Sequence, residues 1–511
     1  MENPLYPAIY LQLDSREISQ EQLAAEVKSI YSRLSTVEAE CISIDNAHEA
    51  VFKKGENSLA DDLWLELIDL HRTLLSVHYD FFLVSQHPSA SQELKGLATK
   101  RSMPARMWKH GIHFFLELLR CCLPSSRKYM RAFINLAYHM MVLLFATVPS
   151  FKENWIECLG DLGRYGIAIE DDNSQQRVWA GISQYWYRMA TDRAPGVGRL
   201  YHSLAILARS EPFQQIYYYC RSFTCVQLFP SARESVVPVF DRIFSDSNTS
   251  AQTPRVDELY TKLHAMVFLE RHLEEFKEVL NNFLDLLDNH ITRSDIKWRE
   301  HGACLAISNI GALFEHGFDD GVLRRIFKES IIRTETTMHE HPSSKKALNC
   351  ALDLTMRTSE LVLQRQHDKN VLAYVHILLA FLIALVDVRS LDTPVQNEYV
   401  HAILYRVPWE QLCSYTSTLA NSEEFGSRFK TTSFLRLDGD ASPLPEDYKL
   451  RGQVWTQTYF PGDWFQGDVI DPEEESLVEH ASTVWQRAER VLSLMYRLAS
   501  VSGIISLFPS C

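Results

Sequence analysis

Turn residues are scarce in this chain. Its 511 residues hold 19 glycines and 19 prolines, about 3.7% of each, where about 7% and 5% are usual. Sandwiches, barrels and propellers need frequent tight turns, so an all-β fold is disfavoured. The ten cysteines are scattered, with Cys121 and Cys122 adjacent and no C-x-x-C. Zinc spacing is therefore absent, and a chain this long needs no disulfide staples. Such cysteine usage fits a reducing compartment, cytosol or nucleus. Met1–Arg16 has no basic stretch followed by an apolar one, so no secretory signal is expected there. The longest apolar run, Val371–Val386, contains His376 and is closed by Asp387. It is about 16 residues, where a membrane span needs about 18–20. A buried helix is expected, and no membrane partner.

Catalytic patterns are missing as well. No Walker A loop, G-x-S-x-G, H-E-x-x-H or G-x-G-x-x-G occurs. His110 and His113 stand three apart, and His339 and His341 flank Glu340, with no third ligand nearby in either case. The pairs Asp171-Asp172 and Asp319-Asp320 sit in loop-like contexts without the strand ends a two-metal centre uses. No enzyme, metal or cofactor is expected.

What is present is helical periodicity. Apolar residues make up 46% of the chain, enough for a sizeable core. Ser19 and Gln22 have capping-box spacing, and Leu23, Val27, Ile30, Leu34 and Val37 then recur on one helix face. Ser58 with Asp61 opens a second helix carrying Leu63, Leu67, Leu70, Leu74, Val77 and Phe81, ending near Gln86. Two more helices are expected at about 104–123 and 127–148, stopped by Pro124 and Pro149. From Trp155 the pattern becomes short helical pairs. Tyr187, Ala190 and Pro195 stand at tetratricopeptide offsets, and the pattern restarts at Tyr201, Leu204 and Ala205. The repeat exceeds the usual length of about 34 residues, and Glu170–Gln176 reads as an inserted loop. Ser245–Pro254 reads as a linker. Leu259–Ile291, Cys304–Phe314, Leu348–Leu363 and Val371–Val386 read as antiparallel helices, Asn421–Asp447 as irregular, and Glu474–Ser500 as a closing helix. The strand–helix alternation of an α/β enzyme is missing, so the fold class is all-α.

Charge is segregated. The chain carries 51 Lys plus Arg against 65 Asp plus Glu, a net of −14. That argues against indiscriminate binding of nucleic acid through the whole surface and leaves room for a local basic patch. Yet from Leu94 to Lys152 the sole acid is Glu117, against ten bases, a local +9. Lys100, Arg101, Arg106, Lys109, Arg127, Lys128 and Arg131 within it form a candidate basic groove for phosphate. The same run also reads as a solvated helix face. Arg164-Tyr165 follows Gly160-Asp161. The Arg could fork onto phosphate oxygens with the Tyr hydroxyl adding a bond, or could bridge Asp161 one turn away.

Ordered blocks carry a resemblance. Gly160-Asp161 with Arg164-Tyr165 comes first, then Tyr187, Ala190, Pro195 and Gly198, then Tyr201 to Ala208. Tyr217 to Ser222 and Ala232 to Ser235 follow. Far downstream stand Leu444-Pro445-Glu446-Asp447 and Leu450-Arg451-Gly452, then Arg487, Glu489 and Arg490. Over roughly residues 60–500 the chain resembles the family that joins the telomerase-associated Ever-shorter-telomeres protein to the SMG proteins of mRNA surveillance. Met103–Arg120 and Ala168–Trp179 look like its filamentous-fungal branch.

The resemblance implies an N-terminal helix (1–57) and a 14-3-3-like tetratricopeptide domain (58–244). After the linker (245–254) it implies an α-helical hairpin domain of DNA/RNA-binding type (255–420), then an irregular segment and closing helix (421–511). It implies a phosphorylated partner, a surveillance helicase in the family, gripped by Arg164 and Tyr165. The family's second basic contact falls on Asp69 here, with Arg72 one turn on as a substitute, and His202 stands where the family has Asn. A carboxylate beside a phosphate weakens binding unless it turns away. Some relatives carry a C-terminal nuclease domain, for which no room is expected before Cys511. Three readings follow: a phosphoprotein adaptor in mRNA decay, a telomerase-associated binder of single-stranded RNA or telomeric DNA, and a helical scaffold for an unmodified peptide. Nuclear and cytoplasmic location, and a homo- or heterodimer, are compatible with each.

Overall fold

The computed structural model describes residues 19–52, 60–246, 255–318, 321–332, 344–389, 394–422, 425, 427–436, 442–466 and 481–500. Among these, regular structure is helical, and the β contacts are two isolated bridges, Val197 with Gln227 and Cys225 with Gln453. The chain is all-α, as expected. It packs as two compact units, Met1–Ala190 and Thr191–Cys511.

The first unit opens with α1 (Gln20–Phe52). Its start is the expected capping box: Ser19 Oγ accepts from Gln22 N at 3.2 Å, and Ser19 N donates to Gln22 Oε1 at 3.1 Å. Leu23, Val27 and Leu34 are buried, and α1 packs on α2 (Asp61–Ser85). That second helix begins at Ala60, which offers no side-chain cap, and Asp61 and Asp62 occupy its first turn. Acids there favour the helix start through its dipole. Ser58, the expected cap, lies outside the described residues. Sequence periodicity missed α3 (Gln92–Lys100), in which Ala98 alone is buried. Ser91 caps it, its Oγ accepting from Leu94 N at 3.3 Å.

The helix expected at 104–123 is interrupted by a π turn. It runs as α4 (Met103–Arg106), the π segment Met107–His113 and α5 (Phe114–Cys121). A wider turn frees carbonyls from the ladder, and Gly111 O lies 3.1 Å from His71 Nδ1 of α2. Then come α6 (Arg127–Thr147), α7 (Lys152–Ile169) and α8 (Asn173–Arg193). The expected loop at Glu170–Gln176 is a correction. Only Glu170–Asp172 form the turn, and Asn173–Gln176 already belong to α8. Asp172 Oδ1 accepts from Ser174 N at 3.0 Å, which lets a polar stretch start a helix. The repeat is long because α7 and α8 are long, at 18 and 21 residues.

The second unit contains α9 (Gly198–Leu207), α10 (Pro212–Thr224), α11 (Ser231–Asp246), α12 (Val256–Leu269) and α13 (Phe276–Ser294). It continues with α14 (Trp298–Leu313), α15 (Val322–Ile332), α16 (Lys345–Leu363), α17 (Leu372–Arg389) and α18 (Pro394–Tyr405). Last come α19 (Trp409–Ser422), α20 (Pro445–Leu450) and α21 (Ala481–Ser500). Residues 247–254 of the expected linker lie outside the described residues, and the flanking helices α11 and α12 pack together. The long apolar run became α17, buried against α14 and α21. The stretch Lys369–Val388 has the length and apolarity of a span, but 83% of it is inside the protein. It is a core helix.

The family-like blocks of this unit meet around one buried cation. Arg221 of α10 donates to Arg451 O at 2.7 Å and to Pro195 O at 3.4 Å, and also to Lys449 O and Tyr201 Oη. Its guanidinium lies 4.3 Å from the Tyr201 ring centre. Gly452, with φ +78°, brings its backbone against Pro195, where a side chain would collide with the Pro195 carbonyl. Arg451 pairs with Asp192. Motifs read far apart in sequence are therefore one packing knot.

Candidate functional site

Three glycines set the position of Arg164. Gly160, Gly163 and Gly166 recur every third residue along α7 and face α8. A Cβ on Gly160 would lie 2.8 Å from the Tyr187 ring, and one on Gly163 would lie 2.8 Å from Ser183 Cβ. Such contacts are too close for any side chain, so the helices approach backbone to backbone. Ser183 Oγ donates to Gly160 O at 2.7 Å across this seam.

The close approach puts Tyr187 beside Asp161 and Arg164. Tyr187 Oη donates to Asp161 Oδ1, and Arg164 Nη1 reaches the same oxygen at 3.4 Å. The Arg–Asp bridge anticipated from sequence thus forms, at the long end of hydrogen-bonding distance. The Arg164 side chain stays 37% exposed. Burial works against its charge, but Tyr187 and Asp161 outweigh it and shift the pKa upward. The guanidinium is a permanent cation.

Tyr165 is placed differently from expectation. Its hydroxyl donates to Glu117 Oε1 of α5 at 2.8 Å and lies 2.9 Å from His113 Nδ1. Burial and then Glu117 push its phenol up. Burial opposes charge on Glu117, yet Arg120 and Tyr165 hold that carboxyl below its usual range. The Tyr165 proton is committed within the unit. Arg72 is likewise engaged: it pairs with Asp69 on an exposed face of α2.

The basic segment meets acids from elsewhere in the first unit. Arg106 takes Glu38 of α1 through both Nε and Nη2, with Nε at 3.1 Å. Lys128 Nζ lies 2.6 Å from Asp61 of α2. Arg131 grips Glu170 at 3.0 and 2.7 Å, and Arg127 pairs with Asp171. Both acids come from the α7–α8 turn. Arg101 stacks over Tyr31 at 5.5 Å, Lys109 lies 5.5 Å from the Phe114 ring, and Lys100 is exposed at the end of α3. Arg127, Lys128 and Arg131 gather at the start of α6, with Arg106, Lys109 and Arg101 at the π turn and before it. The exposed pairs, Arg127 with Asp171 and Lys128 with Asp61, contribute about 0–1 kcal/mol each, whereas the acids of the other two, Glu38 and Glu170, are largely buried.

The histidine pairs are accounted for in part. His113 joins Tyr165, and His110 packs edge-on to Phe114. His339, His341 and Asp319-Asp320 lie outside the described residues. Sequence reasoning missed the Asp161–Tyr187 clamp, although both residues belonged to the blocks that carried the resemblance.

Fold and site together define a protein of paired helices whose candidate contacts are cationic side chains. Residues 183–457, more than half of the chain, match the family described as the Est1 DNA/RNA binding domain. The chain belongs to that family. The nonsense-mediated mRNA decay factor SMG7 of Arabidopsis thaliana is 36% identical over 86 residues, 16% of this chain and 8% of its own length. The telomerase-binding protein EST1A of Danio rerio is 24% identical over 251 residues, 46% of this chain and 14% of its own length. The matched stretches are thus small parts of those relatives. The solved C. elegans SMG5–SMG7 complex aligns over 87% of this chain and 98% of the matched chain, at 9% identity and a TM-score of 0.43.

Proposed function

We propose that this chain is a non-enzymatic adaptor of nonsense-mediated mRNA decay, acting in nucleus and cytoplasm, that takes a phosphorylated segment of a protein partner on the α7–α8 face. The observation that carries this reading is Arg164, 37% exposed, joined to Asp161 by one long 3.4 Å contact and otherwise held by the Tyr187 hydroxyl. Asp161 keeps its Tyr187 partner when the guanidinium leaves. A phosphate can therefore take Arg164 without stranding a buried charge.

The test is fluorescence anisotropy with a phosphoserine peptide and its unphosphorylated twin, on wild type and Arg164→Glu. Hydrogen bonds to charged groups contribute about 1.5–3 kcal/mol, so the phosphopeptide should bind roughly 10- to 150-fold more tightly, and the variant should lose the preference. Equal binding of both peptides would move the protein to the scaffold reading.

A second reading rests on the family match itself, whose description is DNA/RNA binding and whose span is residues 183–457. Here the chain is telomerase-associated and holds single-stranded RNA or telomeric DNA. A single-stranded oligonucleotide should then bind with a log–log salt slope of about −0.7 per phosphate contact. Binding indifferent to salt would remove this reading.

A further inference from the structure

Cys220 of α10, His264 of α12 and His316, in the turn after α14, meet in the core of the second unit. Each is buried, and one ligand atom from each lies within 4.8 Å of the other two. His264 Nδ1 and His316 Nε2 are 3.3 Å apart. That is long for a nitrogen–nitrogen hydrogen bond. It equals the chord spanned by two zinc–nitrogen bonds of about 2.0–2.1 Å at a tetrahedral angle.

Two further observations bear on this cluster. His264 Nε2 is buried and makes no hydrogen bond of normal geometry. The turn that aims His316 inward is also strained. Glu315, His316 and Gly317 have φ of +53°, +47° and +74° in succession. Non-glycine residues seldom adopt this region, and such strain persists where surrounding contacts enforce it. Here they do: Arg233 donates to His316 O at 2.6 Å while lying over the rings of Phe268 and Phe318, and Glu315 Oε2 accepts from Val322 N at 2.9 Å.

We infer that Cys220, His264 and His316 form a structural binding site for a zinc ion. A thiolate with two imidazoles is a borderline-soft donor set that suits zinc. On binding, the Cys220 thiol releases its proton to solvent, and the thiolate sulfur and two imidazole nitrogens each direct a lone pair at the ion. The proton shared between the two rings moves to an outer ring nitrogen. Asn309 is the polar neighbour of His264; its Oδ1 already takes the Tyr260 hydroxyl at 3.1 Å and has a second lone pair. Glu315 and the thiolate offset the charge of the ion beside Arg233. The adjoining cavity has a volume of about 10 Å³, room for at most one water. A substrate has no access, so the ion holds α10, α12 and the α14 turn together rather than doing chemistry.

The test is metal analysis of the full chain, purified with and without added zinc. The expected result is one zinc per chain, retained through gel filtration and lost in Cys220→Ser. His272→Ala, in the exposed His272, Glu274 and Glu275 group, should leave the zinc in place. Cobalt replacement gives a second readout on wild type alone, a sulfur-to-cobalt charge-transfer band. Metal-free wild-type protein that takes up no zinc would overturn the inference. So would zinc retained by Cys220→Ser, or a cobalt adduct without the sulfur band, and the last holds even where the serine variant fails to fold.

Discussion

Replacing Glu446 by Gln removes one buried charge from the centre of the second unit. Glu446 Oε1 accepts from Arg487 Nε at 2.7 Å and lies 3.0 Å from His376 Nδ1, and Oε2 accepts from Arg487 Nη2 at 3.0 Å. Glu446 and the Arg487 side chain are each 2% exposed. The amide would set an NH2 against guanidinium donors and remove the carboxylate charge that faces Arg487. Breaking a buried pair from one side costs about 3–5 kcal/mol. At about 2 °C per kcal/mol for a unit of this size, the expected fall in melting temperature is roughly 6–10 °C at pH 7. Burial opposes charge on Glu446, but Arg487 and His376 more than offset it and depress the carboxyl far below its ordinary 4.5. A depressed carboxyl contributes stability above its unfolded value, and that stability fades as pH falls toward the folded value. The gap between wild type and variant should therefore narrow below about pH 4.5. Replacing Glu446 by Leu and Arg487 by Met together should recover most of the loss. Thermal melts across pH measure all three. A Glu446→Gln melt indistinguishable from wild type at pH 7, or a deficit that stays constant into acid, would refute the reasoning.

Other perturbations test the first unit and the site. Gly163→Val should splay α7 from α8, because the Ser183 backbone lies 3.1 Å from the added Cβ; overpacking costs about 1–3 kcal/mol, read in a melt, and phosphopeptide affinity should fall with it. Tyr165→Phe should leave phosphopeptide affinity within about twofold while costing about 1 kcal/mol of stability, since its hydroxyl serves Glu117. Asp69→Lys should strengthen phosphopeptide binding, most at low salt, by freeing Arg72 and adding a cation. Arg221→Met should destabilise the second unit by several kcal/mol by orphaning the carbonyls of Lys449 and Arg451, and a denaturant titration would reveal it.

The class of the fold was legible because helical periodicity is local. Ser19 and Gln22 declared the start of α1, and the prolines near 124 and 149 marked helix ends, since caps and breakers act within a few residues. Low-signal elements escaped for the same reason. α3 buries one residue, so no apolar stripe exists to read. The Glu170–Gln176 stretch is polar because its turn and the start of α8 are exposed, which mimics a loop.

By itself the sequence determined an all-α chain, its main helices, a segregated basic segment and the ordered blocks that carry its family. Tertiary structure alone decided which charges remain available. A run with net +9 along the chain is met in space by Glu38 of α1, Asp61 of α2, and Glu170 and Asp171 of the α7–α8 turn. It also decided that Tyr165 is spent on Glu117 while Arg164 keeps a weak bridge. The same holds for Cys220, His264 and His316, separated by 44 and 52 positions yet gathered in one core. Periodicity is a property of neighbours in the chain. Charge pairing and ligand geometry depend on neighbours in space, and only packing brings those together.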